Sequence, residues 1–409
     1  MKKSYLMIAA AATMLAACSS NEIKNDVKVF GDSRIAFSTY ANMQTKADNS
    51  STSAMWDLEN HQTSFDVWSW KYYNGAWVST AIYDKGTVNY SSGWQTTGAN
   101  LKFWDKSADK YYFYAAAPSS NNWVLNNKYT ASTNEFGNNA YLSYANFTLA
   151  GGATNNLSYN ATATVTDYVP SFKDVADVDL MIAEDNEVLR EKYNKSTPDD
   201  VNELFDHILS RLNVTVALKA GGSLATNNAE VKVTDFAITG VNLKNKGSFN
   251  ENGAVATAPY TGTALSEGTT ARWTALSTEG TYNLPGASIS TTNLTTSALY
   301  IAQYLIIPQS ITNEVLDRAN GLRDSDDNGV GDAAASYPYF VISYTVNDEP
   351  FTAYYNLANA FGKTGTQTLA FNEGWQNTLN IKIDADIITF DPQVYQWTNA
   401  NNVDVTIED

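Results

Sequence analysis

Beyond its first twenty residues, this chain carries apolar residues almost everywhere in short alternating runs rather than at helical spacing. The first half reads SFDVWSW (64–70), GAWVSTAIYD (75–84), LKFWD (101–105), KYYFYAAAP (110–118) and VDLMIAE (178–184). The second half continues with LFDHILSRLNVTVALK (204–219), AEVKVTDFAITGVNLKNKGSF (229–249), TARWTALS (270–277), ALYIAQYLIIPQS (298–310), YPYFVISYTV (337–346), PFTAYYNL (350–357), NTLNIKID (377–384) and IITFDPQVYQW (387–397). Alternation over four to eight residues puts one face of a strand on a core and the other outward. Many such runs, separated by Asn, Ser and Gly, predict an all-β chain of the sandwich type. With 25 Tyr, 16 Phe and 10 Trp, the chain has the large rings that suit pleated surfaces. Only VLDRANGLR (315–323) reads as a short helix.

A chain of 409 residues is long enough for two domains of ordinary size. The most polar stretch of the middle region, NEVLREKYNKSTPDDVNE (186–203), reads as a linker. The expected division is an N-terminal β-sandwich over 47–200 and a C-terminal one over 201–409. There is no internal repeat.

The N-terminus carries a different signal. Lys2 and Lys3 precede an apolar run from Leu6 to Ala17, too short for a stable membrane span, which needs about 20 residues. That is the form of a secretory signal peptide, here 1–17. Leu15-Ala16-Ala17-Cys18 reads as a lipobox, in which the Cys18 thiol is acylated and becomes the new N-terminus. Cys18 is the one cysteine of the chain. Its acyl chains would hold the precursor to a membrane, and Ser19 and Ser20 suit the outer membrane of a Gram-negative cell. No thiol is then left for a disulfide, so the fold must rest on burial. Residues 18–46 read as a lipidated tether followed by one short strand, with Ile35, Phe37 and Thr39 alternating along it.

The composition argues against several chemistries. A formal net charge of −17 repels phosphate backbones, so nucleic acid is not an expected partner. With no cysteine besides Cys18, the two histidines, His61 and His207, cannot build a mixed His/Cys metal cluster. His207, in an apolar run, reads as a satisfied core or edge residue. No nucleophile elbow, zincin motif or phosphate loop occurs, and the chain is not expected to be an enzyme. One cofactor candidate remains, a calcium ion at DSDDNGVGDAAA (324–335). Asp324, Asp326 and Asn328 alternate before Gly329, Val330 offers a carbonyl, and Asp332 stands at the ninth place. The stretch resembles thrombospondin type 3 and dockerin-like loops. It lacks their final bidentate acid, since Ala335 takes that place.

Several segments together resemble the fimbrillin family of the Bacteroidales, lipoprotein-derived pilus subunits. They are LAACSS, RIAFSTYANMQTKA, YYFYAAAP, VDLMIAE, LFDHILSRLNVTV, NLKNKGSFN with ARWTALS, YLIIPQS and GWQNTLNIKIDADIITFDPQVYQW. The resemblance implies two tandem transthyretin-like β-sandwich domains and an assembly route. A trypsin-like protease cuts after a basic residue past the first strand, that strand leaves, and a neighbour's strand fills the groove. On this chain the removed strand falls on Ile35, Phe37 and Thr39, and the cut between Lys46 and Ala47. The family commonly has Arg before the cut. Arg34 is the competing site here, but cutting there would leave the strand on the product. The donor is expected from the C-terminal end, either IITFDPQVYQW or VDVTIED, where Val403, Val405 and Ile407 alternate.

The resemblance thus implies a structural fimbrial subunit, exported to the outer membrane as a lipoprotein precursor and then carried in a cell-surface fimbrium. Its implied partners are other subunits, by self-polymerisation, and host or bacterial surface ligands or glycans. The alternatives are a tip or anchor subunit, or a surface-anchored carbohydrate-binding lipoprotein. For the last, WSWKYY (68–73), FWDKSADKYYFY (103–114) and SSNNW (119–123) supply rings that could stack on sugars.

Overall fold

The structure is a computed structural model. It describes residues 34–41, 64–91, 93–127, 140–149, 179–239, 244–252, 272–275, 293–312, 339–363, 367–385, 388–390 and 392–396. Among these the chain is nearly all strand. The first half supplies β1 (Phe37–Ala41), β2 (Ser64–Tyr73), β3 (Ala76–Trp77), β4 (Tyr83–Tyr90), β5 (Trp94–Gln95), β6 (Lys110–Ala117), β7 (Trp123–Asn126), β8 (Tyr141–Thr148), β9 (Met181–Leu189) and β10 (Val201–His207). The second supplies β11 (Ser210–Leu218), β12 (Val231–Thr239), β13 (Lys246–Asn250), β14 (Trp273–Ala275), β15 (Leu299–Ile306), β16 (Gln309–Thr312), β17 (Tyr339–Val346), β18 (Glu349–Asn356), β19 (Thr368–Phe371), β20 (Trp375–Ile383), β21 (Ile388–Phe390) and β22 (Gln393–Gln396).

An eight-stranded sheet runs β3-β2-β4-β5-β1-β10-β9-β6, and β6 pairs back onto β2. All of its strands except β3 therefore form a closed, barrel-like ring. Alternation fills the interior. Phe65 and Val67 of β2, Tyr111 and Phe113 of β6, and Val201 and Phe205 of β10 belong to one buried cluster. A side chain at Gly86 would meet the Tyr83 ring at 2.6 Å, so only glycine lets that ring lie along β4.

Strands β2, β6 and β9 are apolar on both faces because they separate two cores. Trp68, Trp70, Tyr114, Ala116 and Ile182 point away from the ring into a second cluster, shared with β11, β15 and β20. This second core crosses the middle of the chain, and so does one sheet, whose order β14-β13-β8-β7 joins strands of both halves. Strand β11 is buried along its whole length. It lies at the centre of a sheet ordered β15-β11-β20-β21, parallel to β20. By contrast, β1, β4, β5 and β10 contribute no residue to the second core, and Asn202 and Leu204 of β10 are exposed. That side of the ring is its outer wall.

The stretch 186–203 is not a linker. It finishes β9, makes one helical turn at Arg190–Tyr193 and begins β10. Its sparse apolar residues explain this, since Val188, Tyr193 and Val201 all enter the ring's core. Tyr193 stacks on Trp104 with ring centroids 4.7 Å apart and donates its hydroxyl to the Ala108 carbonyl at 2.7 Å. The run 204–219 likewise splits at Ile208–Leu209, β10 closing the ring and β11 entering the other sheet.

Asp66 of β2 ties the ring to the loop after β6. Its carboxylate accepts from Ser119 Oγ at 2.6 Å, the Ser120 backbone N–H at 2.9 Å and Thr87 Oγ1 at 3.1 Å. Asp66→Ala strips three donors of one buried acceptor and should cost about 2–3 kcal/mol. A urea melt checks this, and an unchanged midpoint would show that water replaces the carboxylate.

Candidate functional site

Strand β1 is secured almost entirely on one side. It runs parallel to β10 over five pairs, from Phe37 opposite Val201 to Ala41 opposite Phe205. On its other side it meets β5 at a single pair, Phe37 opposite Trp94. The approach to β1 is held by the Ile35 N–H on the Lys102 carbonyl at 3.0 Å and the Val201 N–H on the Ala36 carbonyl at 2.8 Å. Arg34 makes an isolated bridge to Phe103. Parallel pairing between strands so far apart in sequence needs a long connection, and 42–63, which leads from β1 to β2, begins that path.

Ile35, Phe37 and Thr39 point into the ring, with exposures of 2%, 4% and 6%. Ala36 and Ser38, between them, are half-buried on the outer wall. Phe37 meets Phe65, Tyr83 and Phe113 edge-on at centroid distances of 5.7, 5.9 and 6.1 Å. Burying Ile35 and Phe37 contributes about 1.5–3 kcal/mol each. Without β1 the ring would have a gap between β5 and β10, with two open backbone edges over an apolar slot.

The third place in the slot is polar. Thr39 stands opposite Glu203 of β10. Glu203 shares its phase along the strand with Val201 and Phe205 and is 0% exposed. Neither of its carboxyl oxygens, nor Thr39 Oγ1, has a hydrogen-bond partner. Burial pushes the Glu203 carboxyl up to about 8, and the approach of the Asn186 side-chain amide, which falls short of hydrogen-bond geometry to either oxygen, works against that. The Asn186 amide gives its N–H to the Asn202 carbonyl at 2.8 Å. The expected linker hid Glu203. The signal that finds it is an acid in the apolar phase of an alternating run, Val201-x-Glu203-x-Phe205.

The other sequence expectations distribute as follows. Cys18, Lys46, Ala47, the loop with Asp324, Asp326, Asn328, Val330 and Asp332, and the tail with Val403, Val405 and Ile407 lie outside the described residues, as does the helix candidate 315–323. Of the two donor segments, IITFDPQVYQW is engaged at home, with β21 and β22 both pairing antiparallel with β20. His207 is a satisfied buried residue, its Nδ1 2.7 Å from Asp179 Oδ2. The rings of the aromatic segments are mostly core, since Trp68, Trp70, Trp104, Trp123 and Tyr111 are all buried. Tyr73 and Phe103 are the exposed exceptions there. Among the described residues no three His, Cys, Asp or Glu side chains come together as a metal site.

No protein-family profile matches the chain, and no curated protein does. Solved structures that match the chain include a fimbrial protein from Bacteroides vulgatus, 15% identical, with 90% of this chain and 100% of that one covered at a TM-score of 0.37. A candidate cell adhesion protein from Bacteroides ovatus is 14% identical, with coverage of 90% and 98% and a TM-score of 0.41. Another from Bacteroides uniformis is 13% identical, with coverage of 89% and 99% and a TM-score of 0.38.

Proposed function

We propose that this chain is a structural subunit of cell-surface fimbriae that assembles by strand exchange at the position of β1. The observation that carries the reading is the seat of β1. It is short, anchored on one side, placed on the outer wall, and fills the ring's core with Ile35 and Phe37. A cut between Lys46 and Ala47 would free it without touching the second core. A strand from a neighbouring subunit then restores the ladder on β10 and fills the slot with alternate side chains. Such a head-to-tail contact does not close on itself and so propagates as a filament.

In this reading the ring and the sheets around β11 serve as the two tandem transthyretin-like units, the first accepting a strand. The precursor travels as a lipoprotein on Cys18 and the mature subunit has lost it. With IITFDPQVYQW held by β20, VDVTIED is the donor segment left in this chain.

N-terminal sequencing and intact mass of protein from surface fibres test the reading. The expected start is Ala47. A lipid-bearing Cys18 on all of the protein would overturn it in favour of an anchor. Deletion of 403–409 should abolish the ladders that polymers leave in mild detergent, and undiminished ladders would remove the donor role from the tail.

A further inference from the structure

We propose that Glu203 is the recognition point of the β1 slot. The strand that replaces β1 comes from a different subunit and sets an N–H-donating side chain, an amide or an amine, where Thr39 stands. This rests on the strand-exchange reading and names the partner's chemistry.

Backbone bonds to β10 are available to any extended chain, so discrimination must come from the side chains that point inward. Two of the three inward places, those of Ile35 and Phe37, accept any apolar residue of suitable size. The third does not. Glu203 is fully buried and both its oxygens lack a partner with Thr39 opposite. A buried polar group without a hydrogen bond is costly, so β1 fills the slot while leaving its one polar demand unmet. Thr39 brings a single hydroxyl on a stiff, branched side chain, and that hydroxyl is itself unpaired. Asparagine occupies nearly the same volume but carries two N–H groups one bond further out. A strand with an amide there would satisfy Glu203 and outcompete β1, which is what a temporary occupant requires.

The pattern also makes this chain's own tail a poor ligand of this slot, so that VDVTIED serves the slot of a different subunit in a mixed fibre. With Val403, Val405 and Ile407 in the three inward places, an isoleucine faces Glu203. One pair further along, Asp409 would face it, a carboxyl group that brings no N–H donor.

Peptides of residues 34–41, RIAFSTYA, carrying Thr, Asn or Val at position 39, test this together with VDVTIED. Each is labelled and offered to the full chain nicked by limited trypsin between β1 and β2, with anisotropy as the readout. The Asn peptide should bind about tenfold tighter than the Thr and Val peptides, with VDVTIED no tighter than Val, and Glu203→Met should erase the advantage. Equal affinities in the native chain would overturn the proposal. If no peptide enters, the strand-exchange reading fails, and Thr39→Asn in the uncut chain decides the chemistry alone. There, hydrogen exchange at the β1 amides should slow about tenfold with Glu203 present and not with Glu203→Met. Unchanged exchange would overturn the assignment of Glu203 as a donor-seeking group.

Discussion

Stability should fall as pH rises from about 4.5 to about 8, by roughly 1.4 kcal/mol per unit, and Glu203→Gln should remove that slope. The sign follows from where the proton sits. In the folded chain burial holds Glu203 protonated up to about 8, whereas its ordinary value is 4.5. Between those values the folded chain keeps a proton that the unfolded chain has released, so each step in pH favours unfolding. The contribution is whole below 4.5, shrinks through the window, and levels off above 8, when the folded carboxyl also ionises. Across the window the loss reaches about 3–5 kcal/mol, a large share of an ordinary domain's stability. The comparison with Glu203→Gln isolates this carboxyl from the other titratable groups of the ring, the buried His207–Asp179 pair included. Burial raises the Tyr83 phenol further above neutrality, and Lys71 is held by Asp105 at 2.7 Å. Urea melts of the native chain and Glu203→Gln at pH 5, 6, 7 and 8 measure the difference. The two should nearly coincide at pH 5 and separate progressively toward pH 8, with the variant more stable. Parallel curves would mean that water reaches Glu203 in the folded ring.

That behaviour could not be read from the residues in sequence order, although much of the ring could. The runs SFDVWSW and KYYFYAAAP declared themselves as strands by their short apolar patterning, and they proved to be apolar on both faces because they lie between two cores. RIAFSTY declared itself through Ile35, Phe37 and Thr39, which do share one inward face. What stayed hidden was pairing. Nothing local says that β1 lies parallel to β10, more than 150 residues away, or that β6 returns to β2. Long-range pairing is set by how whole faces fit and leaves no local mark. The polar run 186–203 misled for a related reason. Its charged residues other than Glu203 are exposed, and just three apolar side chains, Val188, Tyr193 and Val201, fix it to the core. Glu203 was missed because a buried acid looks, in sequence, like any solvated one.

Phe37→Ala should loosen β1 far more than it loosens the rest of the ring. Truncating a buried phenylalanine costs about 3–5 kcal/mol, and Phe37 is the residue through which β1 touches Phe65, Tyr83 and Phe113. Phe65→Ala removes a ring of the same size from β2, but β2 is hydrogen-bonded along much of its length to both β4 and β6 and packs Trp68 and Trp70 into the second core. The same lost volume therefore has different consequences. On β1, one flank is nearly unpaired and the outer face packs on nothing in the second core, so the strand can detach while the other strands stay. Hydrogen exchange resolved by segment distinguishes the two. In Phe37→Ala, protection of the β1 amides should drop by roughly 100- to 1000-fold with β2 and β6 little changed. In Phe65→Ala, protection should fall across the ring together. Detachability is the property a replaceable strand needs, and it comes from this imbalance between a large side-chain anchor and a small backbone one. A uniform loss of protection in Phe37→Ala would make β1 an integral strand of the ring, and a fibre built through its slot would then have to unfold the whole ring to begin.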